Sequence, residues 1–400
     1  MIPDQEPPAA NPTPIQPGGS GAELTWPVSA RIAGRFESRA GRRRSAAIAY
    51  IATAAAYLGW RTTIIAPDSA ALSWAYLVAE FLGFVLGLST LLDSWDYRHR
   101  EPPPALPDRT VDVFVPVYRE PLAIIRRTLR AAAGIRYPHQ TWVLDDGNRD
   151  DVRILAQSLG LRYLARPENR NAKAGNLNFG LAHSEAEFVA VFDADHVAMP
   201  HALEVMLGFF EDASVAMVQT PQDYFNTDAF QYINPRGKPG LWHDQSFFYN
   251  VVQSCRDGRN AVSCVGTGVV YRRSALRAIG GIPEETLTED LHTSLKLHKA
   301  GWRAVHLNEP VAYGIAAADV ADYYRTRYRW AHGNLAALRI ERVLTCRGLD
   351  MRQRLSYLAT GLIYLEGWQQ LLLFAVPPCA LVFGLRPFDI SIFNVLVVLS

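Results

Sequence analysis

Apolar positions fall into two regimes along the chain. Towards both ends they form long unbroken runs, whereas residues 110–345 break into short runs separated by polar turns. Within that middle region Val111–Val117 is a run of β-branched and aromatic side chains, the pattern of a strand buried on both faces. Pro121–Ala133 carries Leu122, Ile125 and Leu129 on one face and predicts a helix. Thr141–Leu144 then predicts a strand, Val152–Leu159 a helix and Phe188–Phe192 another strand. Alternation of this kind implies an α/β fold built on an open, mostly parallel sheet. Ligands on such sheets bind at the carboxyl ends of strands, which is where Tyr118, Asp146 and Asp193 fall.

The flanking runs predict membrane spans. Ser45–Trp60, with its neighbours through Ala66, approaches the roughly 20 residues needed to cross a bilayer. Ala70–Leu92 is a stronger span, interrupted only by Glu80. Tyr357–Leu385 is long enough to cross with tilt, although Glu366, Gln369 and Gln370 lie inside it. Ile390–Ser400 begins one more apolar run, so the sequence reads as cut short there. Residues 1–25 are rich in Pro, Gly and Ala and predict disorder; the first long apolar run starts too late for a secretory signal.

Charge sets the orientation. Arg31, Arg35, Arg39, Arg42, Arg43 and Arg44 precede the first span, and such clusters stay in the cytoplasm. The short link 61–69 suits the outer side, and 94–109 returns as a basic, proline-rich linker. The expected organisation is therefore a tail with a basic juxtamembrane block (1–44), two transmembrane helices (45–93), the linker (94–109) and a cytosolic domain (110–345). An interfacial segment with further transmembrane helices follows (346–400). The expected location is the inner, cytoplasmic membrane, multi-pass, with the lipid bilayer as a partner.

Overall composition removes several classes. Forty Lys and Arg against 39 Asp and Glu leave no basic surplus for nucleic acid. Cys255, Cys264, Cys346 and Cys379 show no CxxC spacing, which argues against a zinc site or a disulfide framework and fits a reducing compartment.

Candidate chemistry gathers at the strand ends. Asp193-Ala194-Asp195-His196 follows Phe188–Phe192, and two carboxylates with an imidazole suit a hard divalent cation such as Mg²⁺ or Mn²⁺. A solvated surface turn is the plain alternative. Asp145-Asp146-Gly147 ends a second strand, with Asp145 either capping the turn or binding. In Asn171-Ala172-Lys173-Ala174-Gly175-Asn176, small residues let backbone and ammonium approach an anion. Thr288-Glu289-Asp290 opens the helical pattern Leu291, Leu295, Leu297, where the acids could also be favourable charges behind a Thr288 cap. Arg329-Trp330 sets a guanidinium beside a large aromatic.

These five motifs, taken in chain order across about residues 110–345, resemble the processive family 2 glycosyltransferases: cellulose synthases and the related synthases of other β-glucans, chitin and hyaluronan. The resemblance implies a GT-A, Rossmann-like, nucleotide-sugar-binding cytosolic domain with flanking transmembrane helices. It implies that Tyr118, Glu120 and Asp146 hold uridine and that Lys173 reaches the diphosphate. It implies, too, that Asp193 lies near ribose and diphosphate and that Asp195 coordinates the metal with Asp193 and His196. By the same resemblance Glu289 is expected to join the substrate site, Asp290 to be the general base, Arg329 to contact the diphosphate and Trp330 to stack on the acceptor sugar. The implied reaction is inverting transfer from a UDP-sugar, UDP-glucose first, to a growing β-linked polysaccharide exported through the membrane. The implied partners are the UDP-sugar, the polysaccharide, the bilayer and a periplasmic accessory subunit. An N-acetylhexosamine polymer synthase, or a non-processive enzyme acting on lipid, is the alternative. Three departures bear on it: Thr326 stands where glutamine is usual, Asn171 where histidine is common, and Ser263–Gly268 only loosely matches the Phe-Phe-Cys-Gly segment, leaving Cys264 or Gly266 to line the acceptor pocket.

Overall fold

The structure, a computed structural model, describes residues 39–226, 229–232 and 243–389. The predicted disorder of 1–25, Arg31, Arg35 and the run Ile390–Ser400 lie outside these residues.

Two helices come first, α1 (Ala40–Arg61) and α2 (Ala70–Asp93). There follow β1 (Val111–Val117), α3 (Leu122–Ala133), β2 (Gln140–Asp145), α4 (Asp150–Ser158), β3 (Arg162–Ala165), α5 (Ala172–His183) and β4 (Phe188–Val191). The alternation read from the sequence continues less regularly through β5 (Val197–Ala198), α6 (Ala202–Met206), β6 (Val215–Gln219), β7 (Asp223–Tyr224) and α7 (Gln253–Asp257). Then come β8 (Val269–Arg272), α8 (Arg273–Ala278), α9 (Glu289–Lys299), β9 (Arg303–His306), β10 (Ala312–Gly314), α10 (Val320–Ile340), α11 (Met351–Leu362) and α12 (Glu366–Phe383).

A seven-stranded sheet, ordered β3-β2-β1-β4-β8-β6-β9, forms the middle. Its strands pair in parallel except β8, which runs antiparallel between β4 and β6. The sheet is therefore mixed. β1 is buried along its whole length, because separate apolar clusters cover the two faces: Val113, Ile125 and Leu129 on one, Phe114, Leu144 and Leu177 on the other. Asp112 inside β1 is tolerated because Arg273 (3.2 Å) and the Trp142 indole N–H (2.9 Å) satisfy it. A smaller sheet, β5-β10-β7, lies beyond the carboxyl end of β4.

Among the described residues one helical stretch, Pro67–Asp93, is long and apolar enough to cross a bilayer. The several spans expected from the sequence thus reduce, on length and composition, to one. The run Tyr357–Leu385 is broken at residues 363–365 into α11 and α12. Tyr357 is buried, with its hydroxyl 2.7 Å from His298 Nδ1 on α9, so α11 packs on the sheet domain. Glu80 pairs with Arg61 at 2.8 Å and accepts from Tyr57, joining α1 to α2. Gln369 is buried against α2 at Gly83, whereas Glu366 is exposed.

A buried ion pair joins helix and domain. Arg256 on α7, 2 % exposed, donates to Asp93 at the end of α2 (2.6 and 2.9 Å), to the Ser356 carbonyl and Thr360 hydroxyl of α11, and to Ser263 Oγ. Ser356 Oγ donates to the other Asp93 oxygen at 2.8 Å. Both charges are satisfied, the condition under which burying them is tolerable.

Candidate active site

The carboxyl ends of the parallel strands β1, β2 and β4 lie side by side at one edge of the sheet, where the candidate residues gather around a cleft. After β1, the Tyr118 backbone N–H donates to Glu120 Oε2 at 2.7 Å, and the Tyr118 ring is partly exposed beneath Arg119. After β2 the two aspartates divide. Asp145, wholly buried, accepts from the Gly147 and Arg149 backbone N–H groups and from Tyr163 Oη, all within 2.8 Å, and so builds the turn. Asp146 is gripped by Arg166, whose guanidinium also donates to the carbonyls of Arg170 and Ala172. Arg166 therefore ties the β2 end to the entry of α5. Nothing in an isolated Arg-Pro pair of the sequence signals a partner 20 residues away.

That entry is strained. Asn171 and Ala172 have φ of 61° and 45°, a left-handed pair that Asn accepts far more readily than Ala. It brings Lys173 into the cleft, where Nζ lies 2.5 Å from Asp193 Oδ1 and 3.6 Å from Glu289 Oε1, and donates to the Gly266 carbonyl at 2.8 Å. Burial alone would lower the Lys173 pKa, but the carboxylates of Asp193, Glu289 and Asp290 outweigh it and raise it. The ammonium is fixed as a cation.

After β4, Asp193 is held by its backbone N–H to Thr267 Oγ1 (3.0 Å), and Thr128 donates to the Ala194 carbonyl (2.7 Å). Asp193, Asp195 and His196 present ligand atoms within 4.8 Å of one another. His196 is buried against Gly314 with Nδ1 2.7 Å from Asp195 Oδ1. Burial pushes the Asp195 pKa up, but the hydrogen bond and charge of His196 overcome this and hold it below its usual value. Two carboxylates, one already biased to its ionised form, fit a hard divalent cation that keeps open positions. His196, with Nδ1 engaged, orients Asp195 from beneath.

Asp290 faces the same cleft from the first turn of α9. Its Oδ1 accepts the Leu291 N–H at 2.7 Å. Burial, then the Glu289 charge, push its pKa up to about 7, with Lys173 opposing. Gly266, at φ 87°, brings backbone so close that a Cβ there would lie 3.1 Å from Asp290 Oδ2 and 3.2 Å from Lys173 Nζ. Cys264 is buried, its Sγ hydrogen-bonded with Tyr271 Oη at 2.8 Å. Thr288 makes no side-chain cap; it packs against Gly333 of α10.

That contact sets how near α10 comes to Asp290. A Cβ at Gly333 would lie 2.6 Å from Thr288 Oγ1 and 2.8 Å from the Thr288 backbone nitrogen, so the helix would have to move. Gly→Ala in an open helix normally stabilises by about 0.5–1 kcal/mol. Here Gly333→Ala is expected instead to destabilise by about 1–3 kcal/mol through overpacking, read as a lowered melting temperature in detergent. An unchanged or raised melting temperature would mean that the contact is loose. One turn earlier on α10, Trp330 is half-buried, while Arg329 is exposed and makes no ion pair with any described residue. Arg327, which no local sequence signal marks out, turns towards Trp330 instead.

Residues 112–280 match the model of glycosyl transferase family 2. Cellulose synthase 1 of Komagataeibacter xylinus is 35% identical over 340 residues, covering 82% of this chain and 22% of that protein. The cellulose synthase catalytic subunit [UDP-forming] of Pseudomonas fluorescens is 38% identical over 286 residues, covering 70% of this chain and 39% of that protein. That of Xanthomonas axonopodis pv. citri is 35% identical over 330 residues, covering 79% and 45%. The chain thus spans less than half the length of these relatives. Among solved structures, a mannosyltransferase from Pyrobaculum calidifontis in complex with GDP-Man and Mn2+ superposes with a TM-score of 0.61 at 22% identity, over 78% of this chain and 88% of that one, which establishes a GT-A-like fold. Residues 112–280 form a glycosyltransferase family 2 domain, and most of the chain is cellulose synthase-like in sequence.

Proposed function

We propose that the protein is a membrane-embedded, inverting glycosyltransferase that moves a sugar, glucose first, from its UDP conjugate to the end of a β-linked polysaccharide. The observation that carries the reading is the cleft itself. Lys173, the Asp193–Asp195 pair and Asp290 converge there, with Lys173 in contact with both Asp193 and Glu289. Leaving-group and acceptor chemistry need these groups side by side.

In the proposed reaction Tyr118, Glu120 and Asp146 line the uridine side, with Asp146 fixed by Arg166. Lys173 and the exposed Arg329 bind diphosphate oxygens. A divalent cation held by Asp193 and Asp195, Mg²⁺ or Mn²⁺, would neutralise charge on the departing diphosphate. Asp290 takes the proton of the acceptor hydroxyl as it attacks the anomeric carbon opposite the leaving group, so an α-linked donor gives a β-linked product. Trp330 offers a ring face to the acceptor pyranose.

Membrane embedment is part of the proposal. It is supported by Pro67–Asp93 and by exposed apolar faces that include Trp74, Val78 and Phe81 on α2 and Leu371, Phe374 and Leu381 on α12. The arginines at the start of α1 favour a cytosolic catalytic face, with export and an accessory subunit on the far side. The deciding experiment is radiolabel incorporation by membrane vesicles from UDP-glucose against UDP-N-acetylglucosamine, followed by linkage-specific hydrolases. Glucose-derived, β-glucanase-sensitive polymer is expected. Incorporation only from the N-acetylated donor, or only into lipid, would replace this reading with the alternative.

A further inference from the structure

Arg327 sits in a closed network that Arg329, two positions on, does not share. Its guanidinium lies 4.7 Å from the Trp330 ring and 4.8 Å from the Tyr323 ring. It forms an ion pair with Asp244, whose same oxygen accepts from Tyr323 Oη at 2.8 Å. With the Gln245 amide oriented to satisfy both ends, its oxygen accepts from Arg327 Nη1 and Nη2 at 2.8 and 2.7 Å, and its nitrogen donates to Tyr249 Oη at 2.9 Å. Tyr249 Oη donates to Gln222 Oε1 (2.8 Å), and Gln222 Nε2 donates to the Val265 carbonyl (3.0 Å). Val265 adjoins Gly266, the residue pressed against Asp290 and Lys173. One chain of contacts therefore runs from the Trp330 ring to the loop beside Asp290.

We infer that Arg327 is a positioning residue that fixes the Trp330 ring, through Asp244 and Gln245, at a set place relative to Asp290, and so governs how the acceptor sugar is held. A guanidinium stacked between two rings and forked onto a carboxylate and an amide has few ways to reorient. Thr326 is too short to supply a comparable tether from the preceding position. Arg329, unpaired among the described residues, is left free for an anion. The inference rests on the acceptor role proposed for Trp330.

The test uses the full chain in detergent with Mn²⁺: UDP-glucose as donor and cellopentaose as the added acceptor for turnover, and UDP alone for binding. Arg327→Met is expected to raise the KM for cellopentaose about tenfold, the order that a partly desolvated cation–π contact contributes, with UDP affinity within about twofold of wild type. Arg327→Lys, which keeps the charge but not the fork, should fall between. Arg329→Met should show the opposite pattern, weakened UDP binding with the acceptor KM spared. Acrylamide quenching of the Trp330 emission, isolated by subtracting the Trp330→Phe version of each protein, should increase in Arg327→Met and not in Arg329→Met. An unchanged acceptor KM together with unchanged quenching overturns the inference, as does a loss of UDP affinity in Arg327→Met, which would make it a diphosphate ligand. Quenching needs no turnover. A wild-type chain that incorporates no sugar would therefore sink the functional reading and still leave Arg327 open to judgement.

Discussion

Asp290→Asn should abolish sugar transfer, by about 10²- to 10⁴-fold, while UDP binds almost as well as to the wild type. Asparagine keeps the oxygen that accepts the Leu291 N–H, so the first turn of α9 has no reason to change. What it loses is the ability to take a proton. The pH profile gives an independent check. With the carboxyl pushed up to about 7, Asp290 is mostly protonated below that pH and cannot act as base. Wild-type kcat/KM is therefore expected to rise about tenfold per pH unit up to roughly 7 and then level off. Glu289 and Lys173 act on that position in opposite senses, so Lys173→Met should move the rise to higher pH. If UDP affinity collapses in parallel with turnover in Asp290→Asn, the residue belongs to donor binding or to the scaffold.

Asp195→Asn should cost nearly as much, by a different route. A cation–diphosphate contact contributes several kcal/mol to the transition state, which corresponds to roughly 10²- to 10³-fold in rate. The amide oxygen can still accept from His196 Nδ1, so the turn after β4 is preserved while the ligand charge is removed. Two measurements are needed. Turnover should stay low across a Mg²⁺ or Mn²⁺ titration, and the strengthening of UDP binding by Mn²⁺ in the wild type should disappear in the variant. Near-normal turnover would rule the assignment out, and so would a retained Mn²⁺ effect on UDP.

How much of this could be read beforehand depended on whether partners are near in sequence. Val111–Val117 was legible as a doubly buried strand because, Asp112 apart, both its faces are apolar and no polar alternation competes. The strand-end acids were legible for the same reason: a sheet of this kind puts its chemistry there. The reversed strand β8 was not, because Val269–Arg272 is a short apolar run beside glycines, and such runs carry no sign of direction. The open choice at Asp145 is settled by three donors, one of them Tyr163 from the neighbouring strand β3. Thr288 looked like a cap because local pattern is all a sequence offers; its side chain is instead taken up by Gly333, 45 residues on. The run at Tyr357–Leu385 was read as one span because hydropathy does not see the hydroxyl that reaches His298. Arg166 and Arg327 share this difficulty, since their carboxylate partners lie 20 and 83 residues away.

The Arg256 node bears on recombinant production. A truncated version starting at Arg98, chosen to make the sheet domain water-soluble, would discard Asp93 and strand a guanidinium in the interior. A stranded buried charge costs about 3–5 kcal/mol, a large share of the roughly 5–15 kcal/mol by which a domain is stable. Such a version is expected to collect in inclusion bodies, and Arg256→Met in the same truncation to recover part of the soluble yield. Equal yields with and without the substitution would place the obstacle elsewhere, in the apolar surface that α2 leaves behind.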